Sequence, residues 1–180
     1  MQLSTVFFLV NLIGGILVLS SYAWGLWSFP FHRHLIWGDI GVSTQKFIVP
    51  FMFLAAIGYI VSAYWFWKII PPNDFKFAGN FDYGTIILFF SMFLGLSSLW
   101  MPMAIQSVIS NSPLWIALTK VILFFVAICS LLILFGIFNS STLDNQILPG
   151  KYFSLIGWFF LCVQTVIFDG IFWSLKFNPH

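Results

Sequence analysis

Apolar residues run almost without interruption through five stretches of this chain, near 5–27, 46–70, 84–107, 114–138 and 152–176, and polar residues gather in the short gaps between them. A helix rises 1.5 Å per residue, so about 20 apolar residues cross the roughly 30 Å hydrocarbon layer of a bilayer. Every stretch reaches that length. The runs are continuous rather than alternating over ~10-residue segments, which argues against a transmembrane barrel. Backbone amides in lipid must be satisfied within their own segment, and a helix does this. The pattern predicts an all-α fold, an integral membrane five-helix transmembrane bundle, with residues 1–180 forming a single transmembrane domain.

The gaps carry stop and start signals. Pro30 closes the first run, and Pro71-Pro72, which lack amide donors, stop the second. The third ends near Trp100-Met101-Pro102, either broken there or kinked for a further turn. Asn111-Ser112-Pro113 places a cap before a proline at the first helical position, a start signal for the fourth. Asn139 to Lys151 is a polar, Ser/Thr/Asn/Gly-rich link to the fifth. Small residues at Ser21 and Ala23 give the first run some likeness to a secretory signal. No Lys or Arg precedes it, however, and it continues through Trp27, beyond the roughly 7–15 residues of a signal core. It is read as a span.

Composition narrows the class. Hydrophobic residues make up 61% of the chain and charged residues 7%, with no Glu, against roughly 25% charged in a soluble domain. A soluble globular fold is excluded. The formal net charge of +2 gives no reason to expect nucleic acid. The partners implied are the lipid bilayer, a small apolar ligand, and copies of the chain or other subunits of a membrane complex; the cofactor is unknown. With X as the side of the N-terminus and Y the opposite side, Lys68, Lys76 and Lys151 lie at X and Arg33, Lys46 and Lys176 at Y. This even split sets no orientation under the positive-inside rule. Asn139-Ser140-Ser141 is a formal glycosylation sequon abutting the membrane on side X.

Lipid tails are as apolar as leucine, so helices in a bilayer associate through close contact at small residues. Asn11, Gly15, Val18, Tyr22 and Gly25 form one stripe on the first span, Ala55, Gly58 and Ser62 another on the second, and Ser91, Gly95, Ser98 and Pro102 a third on the third span. All three are expected to face inward. Aromatic residues make up 21% of the chain and many fall at span ends, as an interfacial belt would have them. Trp24, Trp27, Trp100, Trp115 and Trp173 crowd side Y, where they could also line a pocket.

Two charges lie clearly inside the runs, Lys120 and Asp169. Counted from the span ends, both sit at a similar depth below side Y, and an ionised residue in lipid is costly unless partnered. The expectation is that Lys120 and Asp169 face each other or share a cavity with Tyr22, Ser98, Trp100, Thr165 and Trp173. Trp158, Cys162, Thr165, Asp169, Trp173 and Lys176 share one face of the fifth helix at α-helical spacing, with Gln164 on a different face. Alternatively, Lys120 snorkels to the interface along its four-carbon stem and Asp169 bonds to a helix neighbour or a loop. Cys129 and Cys162 are expected to remain free thiols. His32-x-His34 is at most a fragment of a metal site, and no histidine lies in a span to ligate a haem.

Three function classes follow. The first is a small membrane protein that binds or transports an apolar or amphipathic ligand in the Y-side cavity. Five spans in about 180 residues with abundant tryptophan resembles the translocator protein (tryptophan-rich sensory protein) family in architecture alone, and no residue is carried over from it. The second is an accessory or assembly subunit of a larger membrane complex. The third is a membrane-embedded enzyme, against which stand the absence of Glu, of intramembrane His and of any nucleophile–base spacing.

Overall fold

A computed structural model describes residues 2–32, 34–73, 75–141 and 148–177. Five of its helices are long and apolar enough to cross a membrane. They are built on α1 (Leu3–Ser28), α2 (Val42–Tyr64), α3 (Tyr83–Ser110), α4 (Pro113–Phe138) and α5 (Leu148–Cys162), the fifth reaching that length only with the continuation that follows it. Two of them change their winding. Helix α2 ends in a π-helical turn over Trp65–Ile69, and α5 continues as a π-helix over Val163–Trp173 before a last α-turn at Ser174–Lys176. A short 3-10 stretch, Leu35–Trp37, lies between α1 and α2. No strand forms among the described residues, only isolated bridges between Lys76 and Ser141 and between Phe77 and Phe81.

The boundaries follow local chemistry. Asp82 caps α3 by accepting from the Thr85 amide at 3.1 Å, satisfying one of the first-turn donors that a helix leaves unpaired. Asn111 ends α3 in the left-handed conformation at φ 47°, a backbone shape its short polar side chain tolerates. Pro113 then opens α4 at its first position. Pro102 does not break α3, which runs on to Ser110. Of the two outcomes expected at that proline, the break does not occur, and the helix continues beyond it.

Packing is organised around two helix pairs. Helix α1 lies against α3, and α2 lies against α5, while α3 and α4 pack along most of their length. The α2–α5 crossing is a backbone contact: a Cβ added at Gly58 would come within 2.6 Å of the Gly157 Cα. Beside it, the Ser62 hydroxyl donates to the Ser154 carbonyl at 3.2 Å. The Ala55–Gly58–Ser62 stripe is thus an interface, as its small residues predict. On α1, Gly25 sits against the Met101 side chain, and Gly14, outside the predicted stripe, against Leu94. The third stripe is corrected. Gly95 has no neighbour within 4 Å, and α3 instead buries Tyr83, Ile86, Phe90, Phe93, Leu94 and Met101. Bulky residues filling three helix interfaces outweigh small ones here.

The X half of the bundle is filled with rings. Phe7, Phe66, Tyr83 and Phe90 pack edge-on around one another, and the Tyr83 hydroxyl donates to the Phe66 carbonyl at 2.5 Å. Phe77, in the link before α3, presses onto Gly136 of α4 so closely that no side chain would fit there. Trp158 is fully buried and donates to the Ser130 carbonyl at 2.7 Å. The sequon residue Asn139 turns its amide back onto Phe135 at 2.9 Å.

Candidate functional site

Towards side Y the bundle is hollow. A cavity of about 390 Å³ is lined by residues of all five helices, and its walls are apolar except near one end. It arises because α1 follows α3 while α2 follows α5, so the two diverge. They meet closely at the X end, where Phe8 stacks on Trp67 at 4.3 Å and the Tyr59 hydroxyl donates to the Asn11 side-chain oxygen. Below that bridge the cavity opens sideways. Leu19 of α1 and Ile60 of α2 both line it while 72% and 65% exposed. The mouth therefore faces the surface that a bilayer would cover, and not the end of the bundle.

A second cavity of about 150 Å³ continues toward side Y and is closed by Ile36 and Trp37 of the 3-10 stretch. Tyr22, Met52, Trp100, Gln164 and Asp169 line both. Trp173 holds the floor: its indole donates to the Ile36 carbonyl at 2.8 Å, and its ring meets Trp100 edge-on at 5.9 Å.

The polar end is built by the π-helix. The Gln164 amide donates to Asp169 Oδ1 at 2.9 Å, across five residues. On an α-helix, at 3.6 residues per turn, that spacing would leave them about 140° apart. The i→i+5 bonding of a π-helix stacks them instead, and the Ser174 hydroxyl reaches the Asp169 carbonyl at 3.2 Å over the same interval. Gln164 is thus corrected from a different face to the same face as Asp169. No helix-propensity signal announces the change of winding. The one clue in the sequence is a glutamine in an otherwise apolar run, five residues before an aspartate.

The expected site residues divide. Tyr22, Trp100, Thr165 and Asp169 come together around the larger cavity, and Trp173 lines the smaller one. Thr165 is also a packing residue, sharing a 2.8 Å hydrogen bond with Ser130 of α4. Ser98 is corrected: its hydroxyl returns to the Gly95 carbonyl at 2.7 Å, and its neighbour Ser97 lines the cavity in its place. Of those five side-Y tryptophans only Trp100 and Trp173 line the cavities, while Trp24 and Trp27 are exposed.

Lys120 is corrected as well. It lines neither cavity, and among the described residues Asp169 forms no ion pair, taking Gln164 in place of a lysine. A Cβ on Gly170 would touch the Ala127 Cβ at 3.5 Å, which sets the register of α4 against the π-segment. Lys120 lies seven residues before Ala127, roughly 10 Å along α4 at 1.5 Å per residue. Counting depth separately from each helix end, with an α-helical rise through a π-helix, had placed the two level. Lys120→Met and Asp169→Asn are therefore expected to be additive in unfolding free energy to within about 0.5 kcal/mol, as for sites without shared partners. Unfolding the two single variants and the double variant in detergent measures this, and a coupling above about 1 kcal/mol would put the charges in contact.

Cys129 and Cys162 are free and buried. No cluster of three or more metal-ligating side chains exists among the described residues. Nor does a second titratable side chain share a hydrogen bond with Asp169 among the described residues. No protein family, curated protein or solved structure matches the chain; the likeness to the translocator protein family stands on span number and tryptophan content alone.

Proposed function

We propose that this chain is a multi-pass membrane protein that takes an apolar or amphipathic molecule from the bilayer into the cavity between α1 and α2. The observation that carries the reading is the sideways mouth: aliphatic side chains at the rim, an apolar wall behind them, and a single polar end at Gln164 and Asp169. Ligand sites are characteristically concave, mostly apolar and furnished with a few convergent polar groups. The volume of about 390 Å³ falls within the roughly 300–1,000 Å³ usual for small-molecule sites. Membrane insertion itself is part of the proposal, supported by five apolar helices whose outward faces carry exposed leucine, isoleucine and phenylalanine. The filled X half suits a binding site entered from one side better than a continuous channel.

Ala56 of α2 lines the mouth and is exposed, so Ala56→Trp adds a ring where a ligand would enter without displacing the buried face of α2. A neutral dodecyl chain carrying a nitroxide is expected to quench the tryptophan fluorescence of the protein in phosphatidylcholine nanodiscs saturably. In Ala56→Trp the midpoint is expected to rise at least tenfold with the melting temperature unchanged. Quenching that stays linear, or that ignores the substitution, would mean that the probe reports the outer surface and not the cavity. The accessory-subunit reading draws on a different place, the outward face of α3, where Gly95 has nothing against it and a partner helix could approach closely.

A further inference from the structure

We propose that the polar end of the cavity selects a cationic head, so that the ligand is an amphiphile bearing a protonated amine. The proposal rests on the cavity-binding reading above and names the ligand's chemistry. Asp169 is the one charged residue among those lining the two cavities. A carboxylate accepts hydrogen bonds and donates none. The donor it finds here is Gln164 Nε2. With Asp169 ionised, that bond fixes the amide, because the opposite orientation would set the amide oxygen against the carboxylate. Gln164 Oε1 is then left as a buried acceptor with no partner, on a side chain only 6% exposed.

Asp169 and Gln164 Oε1 thus share an apolar chamber with a single hydrogen bond between the two side chains. Buried charges are normally paired, and Lys120 does not reach this one. An ammonium group brings the missing charge and three N–H donors, enough for Asp169 and Gln164 Oε1 together. Aromatic residues line the same space. Tyr22 and Trp100 border both cavities and pack on each other with centroids 5.4 Å apart, and the outer face of either ring would attract a cation. Trp100 Nε1 is buried and unpartnered; a hydroxyl oxygen next to the amine would accept from it. The apolar body of such a molecule leaves through the slot between Leu19 and Ile60. An anionic head would meet the carboxylate with no cation to offset it.

Three molecules with the same tail separate head from tail: dodecylamine, dodecanol and dodecanoate, each displacing the nitroxide probe from protein in phosphatidylcholine nanodiscs. Dodecylamine is expected to compete at least tenfold more tightly than dodecanol, after correction for partition into empty nanodiscs. In Asp169→Asn, an isosteric change, the amine is expected to lose its preference over dodecanol. Equal competition by amine and alcohol in the wild-type protein, or an amine preference that survives Asp169→Asn, overturns the head-group proposal and leaves the cavity reading intact. If none of the three displaces the probe, both fall. Should Asp169→Asn fail to fold, the comparison of heads in the wild-type protein still decides.

Discussion

Gly58→Ala is expected to pry α2 from α5 and to destabilise the protein by about 3 kcal/mol, the upper part of the range for overpacking a close contact. One methyl group is a small change, but this one would meet backbone. Its position lies 2.6 Å from the Cα and carbonyl carbon of Gly157, and neither helix axis can yield without parting the other contacts of the pair. In water, burial of new apolar surface would offset part of the loss. Against lipid there is no such gain, since separated helices are solvated by chains as apolar as themselves. The Ser62 to Ser154 hydrogen bond, on the next turn, would be lost with the crossing. Thermal unfolding in detergent measures the effect, and a Gly58→Ala protein that melts with the wild type would show that α2 and α5 do not cross at these glycines.

Trp158→Ala should cost about as much or more, about 3–5 kcal/mol by analogy with large-to-small changes in packed interiors. The indole is fully buried and packs on Tyr59, Phe90 and Phe93. Most of the cost is lost dispersion contact around an unfilled space. The rest is the hydrogen bond to Ser130, whose carbonyl would be left without that donor. Trp158→Phe separates the two parts: it keeps most of the ring volume and should cost about 1 kcal/mol, the net worth of a typical hydrogen bond. Because Tyr59 and Phe93 also line the cavity, the proposed binding function leads us to expect that the alanine variant binds larger chains than the wild type at temperatures where both are folded. Loss of stability without any change in the size of chain accepted would separate this tryptophan from the cavity wall.

The helices were legible because bilayer thickness imposes a length that the apolar runs display openly. Ends were legible where a residue's own chemistry sets them, as at Pro71-Pro72 and Asn111-Ser112-Pro113. The inward face of α2 was readable too, since Ala55, Gly58 and Ser62 have no evident use other than close approach, but its partner α5 was not. Pattern failed where large residues outcompeted small ones, as on α3, where Phe90, Phe93 and Leu94 fill the interior and Gly95 looks outward. It failed again where the periodicity itself changed. Asp169 was visible as a charge in an apolar run, and Tyr22, Trp100 and Thr165 followed from α-helical spacing or depth. Gln164 and the true level of Lys120 did not, because both depend on how many residues a turn of the fifth helix contains. That number is decided by how α5 seats against α2 and α4 together.

The divergence of α1 from α2 also makes the molecule mechanically uneven. Helix α1 is pinned near one end by Phe7 in the ring cluster and near the other by Gly25 on Met101, while its middle borders empty space from Gly15 to Tyr22. A beam backed by α3 along one face and open on the face toward α2 yields more readily at its centre than at its pinned ends. Lateral compression by the surrounding bilayer, which changes with lipid packing and curvature, would act on that span more than on the ring-filled half. The width of the slot between Leu19 and Ile60 would then follow membrane tension, narrowing in tightly packed bilayers and widening in stretched ones.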